Sequence, residues 1–225
     1  IFVVECGVDE FGPISNAFYG ENQIVICYEL IAETDDRFTK YYEREFGYDW
    51  TVQKQIDEWN YSLINVIEHT LYHELGHALL DVYDITFSGK EENVADQFAS
   101  YYSLDFVYED DPENIIGQDV MLDTAWNYWK ISEEYPDLPP TAFADTHGLD
   151  KQRSYDALCY AYGAYPNDTG FLFDEGYLPE HRAIWCEEEF NQIVEFWNEK
   201  LENNFQGVTT PPVTTPPVTT PQQQT

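Results

Sequence analysis

What this chain most lacks is positive charge: ten Lys and Arg stand against 43 Asp and Glu, a formal net charge of -33 over 225 residues. A surface so anionic repels nucleic acid and anionic membrane surfaces and draws in cationic substrates and counter-ions, so no nucleic-acid partner is expected. Self-repulsion makes stability depend on salt, which an extracellular or saline setting relieves. No run is long and apolar enough to cross a bilayer, which argues against membrane insertion. The four cysteines contain no CxxC pair, so the common redox and zinc-ribbon signatures are missing. Cys6 and Cys27 flank a predicted hairpin, and Cys159 and Cys186 flank an irregular stretch between two helix-like segments. Locality therefore predicts two disulfides, 6–27 and 159–186, in an oxidising, secreted or periplasmic compartment, with free buried thiols as the alternative. The chain opens on the strand-like Ile1-Phe2-Val3-Val4 without a methionine, so a signal peptide removed or omitted is expected, with a fragment boundary as the alternative. A monomer is expected.

What is present is His73-Glu74-Leu75-Gly76-His77, followed by Glu91-Glu92-Asn93-Val94-Ala95-Asp96. Histidines four apart on a helix project from one face about 6 Å apart along the axis, near enough to share a zinc ion whose Zn–N bonds are about 2 Å. Glu74 points to their flank, where it can take a proton from a water activated by the metal. Residues 49–84 read as a loop and then a long helix beginning near Thr51 as N-cap, with Ile64, Ile67, Leu71, Leu75, Ala78 and Val82 as an apolar stripe opposite the histidines.

A catalytic zinc takes three protein ligands and leaves a fourth position open. His69 lies eight residues before His77, about 12 Å along a straight helix, so one ion cannot bind both. On the next helix Glu92 and Asp96 stand four apart on one face, with Ala95, Phe98, Ala99, Tyr102 and Phe106 as its packing surface. Glu92 is the expected third ligand, with Glu91 as its rival should the helix start one residue away. Asp96, one turn on, suits the support of a ligating histidine through its other ring nitrogen. Each acidic residue alone could equally be a solvated or first-turn carboxylate.

This combination of HELGH and ExxxD resembles the gluzincin clan of zinc metallopeptidases. The chain is more closely similar to a bacterial metallopeptidase family long classed as a domain of unknown function. That likeness is carried by Cys6-Gly7, Asn16-Ala17-Phe18-Tyr19, Ile26-Cys27-Tyr28-Glu29-Leu30, the HELGH helix with residues 91–99, and His147, Arg153, Cys159 and Tyr162-Gly163. It spans about residues 1–197. The resemblance implies His73, His77 and Glu92 as metal ligands, Glu74 as catalytic base and Asp96 as supporting acid. Asn16-Ala17-Phe18-Tyr19 also resembles the edge-strand segment with which thermolysin-like enzymes bind the substrate backbone. An exposed edge strand can pair with an extended peptide, although the same segment also reads as one arm of an ordinary hairpin turning at Gly20-Glu21-Asn22 into the β-rich run 23–28.

Beyond residue 92 the pattern is mostly helical: a helix from Val94 to Tyr108 stopped by Asp110-Asp111-Pro112, and another from Gly117 to Tyr135 with Trp126 and Trp129 as core anchors. A loop over 136–148 follows, then a helix from the cap Asp150 to about Tyr162 and a last one from near Pro179 to Leu201. From Val208 a Val-Thr-Thr-Pro-Pro repeat cannot pack and reads as a stiff linker. The expected organisation is a catalytic domain over 1–206 and a Thr/Pro-rich tail over 207–225. Its fold would be α+β and zincin-like, with a small antiparallel sheet packed on the HExxH helix and a mostly helical C-terminal lobe.

The expected chemistry is zinc-dependent hydrolysis of protein or peptide substrates with Glu74 as general base. Such a reaction needs a donor to the tetrahedral oxyanion, for which His147 and Arg153 are the candidates, with His181, Arg182 and Tyr155 behind them. Two alternatives stand beside it: a non-catalytic zinc-binding module on the same fold, against which Glu74 argues, and a zinc amidase acting on non-protein amides.

Overall fold

In the computed structural model the described residues are 1–205 apart from 11, 48, 50 and 108–113. The Thr/Pro-rich tail and the helix stop expected at 110–112 lie outside them. Runs rich in β-branched and aromatic residues build β1 (Phe2–Val4), β4 (Ala17–Gly20) and β5 (Gln23–Cys27), while β2 (Val8–Asp9) and β3 (Gly12–Pro13) form a small separate ribbon. The β4–β5 hairpin turns at Glu21 and Asn22, with φ of 51° and 61°, as a two-residue turn of matching twist demands.

The sheet has the order β1-β5-β4, and it is mixed rather than antiparallel: β1 pairs parallel to β5, and β4 antiparallel. The reason is topological. β1 and β4 run in opposite directions, and β5 inserts between them, so the short connection over one end of the sheet replaces the long crossover that adjacent parallel strands usually need. The Cys6–Cys27 disulfide pins that end, and the Glu29 carboxylate accepts the backbone N–H groups of Cys6 and Gly7 at 3.0 and 2.6 Å.

Helices make up the rest: α1 (Tyr28–Phe46), α2 (Gln53–Val82), α3 (Glu91–Tyr101), α4 (Ile115–Glu134), α5 (Asp150–Ala164), α6 (Phe171–Asp174) and α7 (Glu180–Phe205). A π-helical turn, Tyr102–Phe106, continues α3, and Asn114 donates to the carbonyls of Ser103 and Leu104 there. α1 was not among the expected elements. Its sequence is poor in aliphatics, and it is held by Phe38 stacking on Trp126 at 4.5 Å and by the buried Arg37, which donates to Asn127 and Glu134 of α4. Gly47, at φ 57°, closes it with a left-handed cap. The N-caps of α2 and α5 are Val52 and Leu149, one residue away from the expected Thr51 and Asp150.

α2 is uninterrupted because its 30 residues contain no proline and one glycine. Its buried face is not the expected apolar stripe. Ile64 and Val82 are exposed, whereas Ser62, Asn65, Val66, His69, His73, Gly76 and Leu80 face inward. Polar groups can take that face because partners await them: Asn65 donates to Asp123 at 2.7 Å, and Ser62 meets Tyr42 at 3.2 Å. The apolar core instead lies among α2, α3, α4, α5 and α7, around Phe98, Tyr101, Leu104, Met121, Ala161 and the fully buried Trp197. Trp129, expected as an anchor, sits partly exposed beneath the Lys151 ammonium. The Cys159–Cys186 disulfide joins α5 to α7.

Two features position the site. β4 and β5 pack on α2, where the Tyr19 hydroxyl donates to Asp81 at 2.7 Å. On the other side α3 comes so near α2 that a methyl group at Gly76 would stand 3.1 Å from both Ala95 Cα and Phe98 Cβ.

Candidate metal centre

His73 and His77 leave α2 on one face and Glu92 reaches them from the first turn of α3. The Glu92 Oε2 atom lies 3.2 Å from Nε2 of each imidazole, and the two Nε2 atoms are 3.2 Å apart. These three donor atoms converge within 4.8 Å of one another. Each imidazole is held from behind through Nδ1: His73 by Asp96 at 2.8 Å and His77 by Glu91 at 2.8 Å. That pattern, a carboxylate on the far nitrogen with the near nitrogen turned to a common point, is how proteins orient metal-binding histidines. The donor set also fits a transition metal on chemical grounds, since two imidazoles and one carboxylate suit a borderline cation far better than calcium or magnesium. Cys6, Cys27 and Glu29 also cluster, but both sulfurs are committed to a disulfide.

Charge in the cluster is balanced locally. Burial opposes the charged form of His73, yet its hydrogen bonds to Asp96 and Glu92 outweigh that and raise its pKa to about 9. Burial likewise opposes a charged Glu92, but hydrogen bonds from His147, His73 and His77 hold it well below the usual carboxylate range. Asp96 is depressed against its own burial by Arg153 and His73. Glu74 differs from both: buried at 5% exposure with less compensation, its carboxyl is pushed upward by desolvation, with the Tyr19 backbone amide as a hydrogen-bond donor.

Glu74, the cluster, β4 and the 144–147 segment line one cleft of about 640 Å³. β4 is an edge strand. Because Asn16 accepts from Cys27 in register, Ala17 and Tyr19 occupy the non-hydrogen-bonded positions, and their own backbone groups point away from β5. His147 enters from the opposite wall, its Nε2 2.9 Å from Glu92 Oε2, and that contact raises its pKa against partial burial.

Other candidates are placed elsewhere. Arg153 donates to both carboxylate oxygens of Asp96, at 2.9 and 2.7 Å, and its guanidinium lies 4.2 Å from the Tyr128 ring centroid. It therefore braces Asp96 and does not line the cleft beside Glu74. His69 is buried next to Tyr128, its pKa lowered to about 3 by desolvation. With Tyr155, His181 and Arg182 it lines a different cavity of about 610 Å³. Arg182 is paired with Asp156 and Glu189.

Glu91, the rival to Glu92 in the expected ligand set, instead lies behind His77, 2.8 Å from its Nδ1. The signal was present, since Glu91 and Glu92 point to different sides of the α3 N-terminus. Asp145, whose Oδ1 accepts the His147 backbone N–H at 2.9 Å and lies 3.2 Å from its Nδ1, was missed despite its Asx-turn spacing.

Two ring nitrogens and a carboxylate gathered between two helices, with a further buried carboxylate beside them, form a group that could hold a metal ion. Residues 2–201 match the model of a protein family described as "Putative metallopeptidase", and the chain belongs to that family. No curated protein and no solved structure matches the chain.

Proposed function

We propose that the protein is a zinc-dependent peptidase of gluzincin type with a zincin-like arrangement of sheet and helices, in which His73, His77 and Glu92 hold the metal and Glu74 is the general base. The observation that carries this reading is Glu74 itself: a buried carboxylate that faces the same cleft as the cluster has no use in a purely structural metal site. Zinc bound there would polarise the scissile carbonyl and bring the pKa of a water toward about 7.

The chain's own groups supply the rest. An extended peptide pairs with the outward backbone groups of Ala17 and with the Tyr19 carbonyl, beside Asn16, which sets its carbonyl over the cluster. Glu74 takes the proton of the attacking water and passes it to the leaving nitrogen. His147 Nε2 donates to the oxyanion as the carbonyl becomes tetrahedral. Asp96, braced by Arg153, and Glu91 keep the two imidazoles turned to the metal. The anionic surface favours cationic substrates. The two disulfides, with no helix among the described residues long and apolar enough to cross a membrane, agree with a secreted enzyme.

A peptide library tests this with and without chelator, alongside Glu74→Gln. Chelator should abolish cleavage, and the variant should lose about 10²- to 10⁴-fold in kcat while retaining its metal. Chelator-resistant cleavage, an active Glu74→Gln, or no peptide cleaved by the metal-loaded wild type would overturn the proposal, the last favouring a binding module or an amidase.

A further inference from the structure

The segment between α4 and α5 suspends His147 over the cleft, and little holds it there. Of residues 136–148, all but Ala142 and Gly148 are exposed, so apolar packing on the rest of the chain is sparse: Leu138 is 38% exposed, and the His147 ring stacks at 6.1 Å on that of His73. Among the described residues its hydrogen bonds to other parts of the chain come from two anchors, both at the start of α3. One is His147 Nε2 on Glu92. The other is the Lys90 ammonium, which donates to the carbonyls of Asp145 at 2.7 Å and His147 at 3.3 Å. Asp145 in turn accepts the His147 backbone N–H, so Asp145 and His147 form one unit that Lys90 grips at both ends.

Lys90 is also poorly suited to its own helix. It is the N-cap of α3, where a side-chain acceptor is favoured and the helix dipole disfavours a cation, and it makes no capping bond. Its reach across the cleft accounts for a residue that α3 alone would not select.

We propose that Lys90 is a positioning residue, a latch that holds the 136–148 segment closed so that His147 Nε2 stands over the site. The consequence for turnover rests on the peptidase reading; the consequence for the order of the segment does not. Lys90→Met removes the donor, and Lys90→Arg retains one of similar reach.

In metal-free protein, amide hydrogen exchange over residues 140–148 should quicken about tenfold in Lys90→Met and stay near wild type in Lys90→Arg, while exchange in α2 and α5 is unchanged. In the metal-loaded protein, Lys90→Met should lose about tenfold in kcat with metal content and KM little altered, because a donor misplaced by about 1 Å forfeits transition-state stabilisation. Lys90→Arg should recover most of that loss. In a His147→Ala background, Lys90→Met should cost nothing further, since Lys90 acts on turnover by placing the His147 ring. Unchanged exchange in Lys90→Met, or a full additional loss in the His147→Ala background, would overturn the latch. A wild type that cleaves no peptide would sink the peptidase reading and leave the exchange result to judge the latch.

Discussion

Gly76→Ala sets two physical effects against each other. Replacing a glycine in a helix interior by alanine gains about 1 kcal/mol of intrinsic helix propensity. The new methyl carbon, however, would meet Ala95 Cα and Phe98 Cβ at 3.1 Å, and carbon atoms prefer about 3.5 to 4.0 Å. Neither neighbour can give way without moving α3 as a whole, since Ala95 is 0% and Phe98 1% exposed and one of the two contacts is backbone. Overpacking of this kind costs about 1 to 3 kcal/mol, so a net loss of up to about 2 kcal/mol is expected. For a chain of this size that lowers Tm by at most about 8 °C, measured by calorimetry on metal-free protein. Glu92 and Asp96 ride on α3, which must move away by a few tenths of an ångström, so metal affinity measured by competitive titration should fall about tenfold. A Tm equal to or above that of the wild type would mean that propensity wins and that the α2–α3 approach is not what sets the site.

Asp96→Asn removes the carboxylate that backs His73 and neutralises Arg153, and should weaken metal binding by about 10- to 100-fold in the same titration; an unchanged affinity would deny Asp96 that part. Burial pushes Asp123 from 3.8 up to about 6. The folded state thus binds its proton more tightly, so this group's contribution falls as pH rises from about 4 to about 6, reaching a penalty of about 3 kcal/mol above that window. Asp123→Asn, which can still accept from Asn65, should therefore raise Tm at pH 7.5 and leave it nearly unchanged at pH 4. A pH-independent difference would refute the assignment. Replacing Cys159 and Cys186 by alanine opens a loop with a sequence separation of 27 and should cost about 3 to 4 kcal/mol in denaturant unfolding; less than 1 kcal/mol would show that the α5–α7 contact holds without it.

Periodicity carried the legible part of the site. His73 and His77 share a face at spacing four, as do Glu92 and Asp96 on the next helix, and the fold brings the four together because those helices are consecutive and closely packed. Local turn chemistry likewise located the 20–23 hairpin, and locality paired the cysteines. What escaped depends on contacts distant in sequence. The parallel pairing of β1 with β5 leaves no mark in either strand alone. α1 lacks an aliphatic stripe because its buried positions are Thr34, Arg37 and Phe38, whose meaning appears only against α4. The inward face of α2 is polar, so an amphipathic reading turned that helix the wrong way, toward the exposed Ile64 and Val82. Arg153 could be recognised as a cation near the chemistry, but not as one already committed to Asp96.

Metal analysis joined to X-ray absorption on the purified chain bears most directly on the account. It predicts one zinc per chain, a first shell of nitrogen and oxygen at about 2.0 to 2.1 Å with two imidazoles and no sulfur, and loss of the metal in His77→Ala and in Glu92→Ala. Retention of a full equivalent in both variants, or sulfur in the shell, would contradict it.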